Sequence, residues 1–91
     1  MLVCFTNIDL IINMAQVVNV HIEHHDTHDY VNVYPDDDTH DVVFKTTDGG
    51  RNVVFCKSKG IAQDVIGMIR GGALDGKGCV EINIGGVGED V

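Results

Sequence analysis

The strongest constraint on the fold is a chain reversal near the middle. Residues 42–47 (VVFKTT) and 52–57 (NVVFCK) flank Asp48-Gly49-Gly50-Arg51, and glycine in such a tetrad takes the positive φ that a tight turn between antiparallel strands needs. A β-hairpin is expected. Both arms carry consecutive apolar residues, Val42-Val43-Phe44 and Val53-Val54-Phe55-Cys56, so both of its faces want cover. A helix is expected on one face and a second copy of the chain on the other, giving a homodimer through residues 42–56.

Alternation of period two marks further strands. Val18, Val20 and Ile22 oppose Asn19, His21 and Glu23, and Val31 and Val33 oppose Tyr30, Asn32 and Tyr34 before Pro35 and three aspartates end the run. Over residues 59–70 the period becomes helical: Ile61, Val65, Met68 and Ile69 share a face, Ser58 is placed to cap the start, and Gly71-Gly72 reads as the stop. Gly67 weakens this helix by about 1 kcal/mol. Residues 79–84 alternate again, and residues 85–91 read as a flexible glycine-rich tail.

The order β-β-β-β-α-β predicts an α+β fold, an antiparallel β-meander of four to five strands with one helix packed on one face. Ninety-one residues suffice for a single domain over 1–91 and leave little depth for an enclosed active site. Residues 1–13 are apolar but contain Asp9 and no basic leader, and they are too short to span a bilayer. They read as an extra strand, or as an N-terminal extension ahead of a second start-like segment, Met14-Ala15-Gln16.

Charge is distributed unevenly. The formal net charge is −8, yet residues 1–44 contain eight acids and no Lys or Arg, whereas residues 45–91 contain six of each. Such a front half repels free nucleic acid and anionic membranes and attracts a basic protein. Carboxylates on alternate strand residues lie roughly 6.7 Å apart, too sparse in one row to match the phosphates of a duplex; two strands plus the Asp36-Asp37-Asp38 loop come closer. Glu23, Asp26, Asp29, Asp36, Asp37, Asp38 and Asp41 are the expected contact residues. The plainer reading is ordinary solubilising charge.

All five histidines, His21, His24, His25, His28 and His40, lie within twenty residues of one another among carboxylates. Together with Glu23 they make an alternative site for Zn or another transition metal. Histidine also titrates near neutrality, and protonating all five moves the formal charge from −8 to −3, which would weaken a partner held by acidity. A short echo, D-T-H-D-x-V, begins at Asp26 and again at Asp38; Asp and Thr there can satisfy loop backbone before a strand begins.

Other motifs fail on inspection. Residues 71–78 (GGALDGKG) approach a phosphate-binding loop, but Gly78 replaces the magnesium-binding hydroxyl and the segment follows a helix instead of opening one. Gly85-Gly86-Val87-Gly88 is at best half of a dinucleotide fingerprint. Cys4, Cys56 and Cys79 are far apart in sequence, with no C-x-x-C spacing, and fit a reduced, cytoplasmic setting. No nucleophile, base and orienting group stand together as catalysis requires.

The leading expectation is therefore a non-catalytic, cofactor-free binding module. Its acidic face would occlude a basic nucleic-acid-binding site on a larger protein or complex, in the general style of small inhibitors encoded by phages and other mobile elements. A metal-binding or pH-responsive protein is the alternative, and a small structural oligomer the third.

Overall fold

The computed structural model describes residues 1–25 and 39–87. Six strands and one helix follow in the order β1 (Leu2–Phe5), β2 (Leu10–Asn13), β3 (Val17–His24), β4 (His40–Thr46), β5 (Arg51–Cys56), α1 (Lys59–Leu74) and β6 (Cys79–Ile82), with one 3-10 turn, Met14–Gln16, between β2 and β3. The class is α+β, as the periodicities predict. The strands do not share one sheet, however. β3, β4 and β5 form an antiparallel meander, while β2, β1 and β6 form a second sheet in that order. The strand expected at residues 30–34 and the first D-T-H-D-x-V copy lie outside the described residues.

The final strand does not return to the meander. It pairs in parallel with β1, in the register Val3↔Val80 and Phe5↔Ile82. These four side chains are buried while Leu2, Cys79 and Glu81 are exposed and Cys4 is half-buried, so the alternation of both strands is satisfied on a common inner face. Residues 1–13 thus contribute two strands, and Val3, Phe5 and Ile12 join the main core cluster.

The central hairpin forms as expected. Gly49 adopts φ +85°, and Asp48 Oδ1 accepts hydrogen bonds from the Gly50 N–H (3.0 Å) and the Thr46 hydroxyl. One part of the β3 expectation is corrected. A register shift between Val17 and Asn19 removes Val18 from the inner row and leaves it 64% exposed, so Val17, Val20 and Ile22 pack on the core in its place. A bulge inserts one residue and flips everything before it.

Helix α1 begins at its Ser58 cap, whose hydroxyl accepts the Ile61 N–H at 3.1 Å. Its buried stripe is Ala62, Val65, Ile69 and Gly72, leaving Met68 at the margin. The expected stop at Gly71-Gly72 is overrun. The chain leaves the helix at Gly76 (φ +69°), where the Gly76 N–H donates to Ala73 O (3.2 Å) and the Lys77 N–H to Gly72 O (3.0 Å), the paired bonds of a Schellman ending. Residues 71–78 are thereby a helix terminus and its turn.

The helix contacts β3, β4 and β5 of the meander and β6 of the other sheet, and it buries its stripe in the core that joins them. Both faces of the hairpin are partly covered within the chain: Val42, Phe44, Val54 and Cys56 point into the core, Val43 is also fully buried, and Val53 is 46% exposed. The tail expected from residue 85 is corrected for residues 85–87. Val87 is buried and bridges Cys56, the Lys57 N–H donates to Gly86 O at 2.9 Å, and Asn7 Nδ2 donates to Val87 O at 2.8 Å. No helix among the described residues is long and apolar enough to cross a membrane.

Candidate functional site

The outward face of the β3-β4-β5 sheet collects most of the described residues that the sequence marks for function. Glu23 and Asp41 are register partners on β3 and β4, so their side chains rise from the same face. His21 and Glu23 share this face, as the alternation of β3 predicts, and His25, one residue past the end of β3, reaches it through Asp41. His24 and His40, also register partners, belong to the opposite face; their rings meet edge to face with centroids 5.1 Å apart.

Each described carboxylate of the face has a histidine beside it. His21 Nε2 lies 2.6 Å from Glu23 Oε2, and the other ring nitrogen lies 2.7 Å from Asn19 Oδ1. With both ring nitrogens against oxygens, both contacts are hydrogen bonds for the imidazolium, or for the neutral ring once the Asn19 amide turns its nitrogen inward. The second oxygen of Glu23 accepts from Arg51 at 3.3 Å. The hydrogen bond from His21 and the nearby Arg51 charge hold the Glu23 carboxyl below its ordinary value.

His25 Nδ1 lies 2.9 and 3.0 Å from the two oxygens of Asp41. These two side chains are only 18% and 13% exposed, and the His25 ring packs edge to face on Phe55 at 4.9 Å. Asp41 is consequently enclosed, whereas Glu23 stays 41% exposed and shares its charge with Arg51. Charges from the back half of the chain therefore reach this face, which the charge count by halves does not reveal.

Of the seven acids expected to contact a partner, Asp26, Asp29, Asp36, Asp37 and Asp38 lie outside the described residues, as does His28 of the metal set. Among the described residues no group of three or more His, Cys, Asp or Glu converges closely enough to hold a metal ion; His21 and His25 are instead directed at Asn19, Glu23 and Asp41. The fold also brings together two residues that sequence separation kept apart. The sulfurs of Cys4 and Cys79 are 3.4 Å apart, a meeting produced by the parallel β1–β6 pairing and signalled by no local spacing.

Comparison of the chain with protein-family models, curated proteins and solved structures gave no match.

Proposed function

We propose that the chain is a non-catalytic binding module that presents acidic residues to a basic site on a larger nucleic-acid-handling protein, in the manner of an inhibitor carried by a phage or another mobile element. One observation carries this reading. The His25 N–H donates to Thr39 O at 3.0 Å, so the chain leaves the sheet and rejoins it at one point. The intervening residues 26–38 hold five aspartates and no Lys or Arg. The described residues on either side of it, His25 and Thr39, stand next to the Glu23–Asp41 pair of β3 and β4.

Asp26, Asp29, Asp36, Asp37 and Asp38 carry the contact on this reading. Glu23 lies at its edge, and Asp41, held by His25, positions the base of the segment. The test is copurification from the native host with wild-type protein and with Asp36, Asp37 and Asp38 all changed to Lys. The wild type should retain a basic protein that the triple variant releases; undiminished retention by the variant removes the proposal.

A pH response is a second reading, favoured by the His21–Glu23 and His25–Asp41 pairs. Protonation of these histidines would lower the net negative charge of the same region. Affinity for the retained partner should then fall between pH 7.5 and 5.5, and a constant affinity across that range would exclude this reading.

A further inference from the structure

We propose that Cys4 and Cys79 form a reversible modification site, an intramolecular disulfide joining β1 to β6 and made by exchange with a small-molecule disulfide such as glutathione disulfide. The two sulfurs already lie 3.4 Å apart. A disulfide needs about 2.0 Å, so closure brings the two sulfurs nearer by about 1.4 Å. Both lie on the outer side of the β2-β1-β6 sheet, because Val3, Phe5, Val80 and Ile82 occupy its inner side.

Access favours this pair over the third thiol. Cys79 is exposed and Cys4 half-buried, whereas Cys56 is fully buried. A shallow depression bordered by Gly72, Asp75, Lys77 and Glu81 opens beside Cys79 and gives an incoming disulfide room at that sulfur. The half-buried Cys4 sulfur, 3.4 Å from that of Cys79, is placed to resolve the intermediate.

The exchange balances in two steps. The Cys79 thiolate attacks one sulfur of glutathione disulfide, forming a mixed disulfide and releasing one glutathione thiolate. Cys4 then gives its proton to solvent and attacks the Cys79 sulfur, displacing the second glutathione. Two protein thiols are oxidised by two electrons, and one glutathione disulfide is reduced to two glutathiones.

Register sets the character of the bond. Leu2 is opposite Cys79 and Cys4 is opposite Glu81, so the link runs along a diagonal of the sheet. Cysteines on a diagonal stand farther apart along the strands than directly opposed ones, so the two strands must shift toward each other as the bond forms. The bond would also close 75 residues of chain separation, restricting the unfolded chain more than a short loop would.

Full-length protein is to be incubated with glutathione disulfide, denatured, alkylated and weighed intact. One alkylated thiol, a peptide linking Cys4 to Cys79 and recovery of three thiols with reduced glutathione are expected. The oxidised form should melt at least about 5 °C above the reduced form, a difference lost in Cys4→Ser and in Cys79→Ser. Three alkylated thiols after oxidation, a persistent glutathione adduct on Cys79, or a link between two molecules would each overturn the proposal.

Discussion

A methyl group on Gly72 would sit 2.1 Å from Val80 Cγ2. Helix α1 and strand β6 therefore approach as closely as they do because residue 72 has no side chain, and this glycine serves packing where its sequence reads as a helix stop. Gly67, in the same helix, has nothing within 4 Å of that position. Gly72→Ala should destabilise by about 1–3 kcal/mol through overpacking, although alanine is the better helix former. Gly67→Ala should stabilise by about 0.5–1 kcal/mol. Urea denaturation of the two variants checks the opposite signs.

The two sheets meet through aromatic rings. Phe5 on β1 and Phe44 on β4 pack edge to face with centroids 6.1 Å apart, and both are essentially buried. Phe44→Ala should cost about 3–5 kcal/mol, a large share of the stability of a domain this small. In a double-mutant cycle with Phe5→Leu and Phe44→Leu, a coupling of about 0.5–1.5 kcal/mol is expected. Independent effects of the two changes would mean that the rings do not hold the sheets together.

What was legible in the sequence is what is encoded locally. Asp48-Gly49-Gly50 sets its turn with its own side chain and a left-handed glycine, and Ser58 caps the helix three residues before the amide it satisfies. The parallel β1–β6 pairing joins residues more than seventy positions apart, and alternation in β6 fits either sheet equally well, so the sequence does not choose between them. Gly71-Gly72 masked the true ending at Gly76, whose signal, a single glycine after Asp75, was present. The acidic bias of the front half was plain, but its partial compensation by Arg51 depended on how β5 folds back beside β4. The pairing of Cys4 with Cys79 had no local signature at all.

Cys56 should be the inert thiol. Burial, and secondarily the charge of Asp41, push it up to about 11 from an ordinary 9.0. The folded state therefore binds this proton more tightly than the unfolded state does. Its contribution to stability is complete below pH 9 and is lost as the pH rises toward about 11. In native protein at pH 8, iodoacetamide should label Cys79 readily and leave Cys56 unmodified until the protein is unfolded. Equal labelling of both in the native state would contradict the burial argument.

Glu23 provides the corresponding case on the acid side. Its carboxyl is lowered from the ordinary 4.5, chiefly by the His21 hydrogen bond and then by the charge of Arg51. A depressed carboxyl stabilises the folded state above the ordinary value, and the contribution disappears as the pH falls through the lowered one. His21→Ala should move the Glu23 midpoint upward in a carbon-detected NMR titration and remove part of the acid dependence of unfolding. An unchanged midpoint would assign the effect to Arg51, and Arg51→Ala would then produce the upward shift. His21→Ala releases one of the two Glu23 oxygens while Arg51 holds the other, so the variant should bind a basic partner at least as well as the wild type at neutral pH.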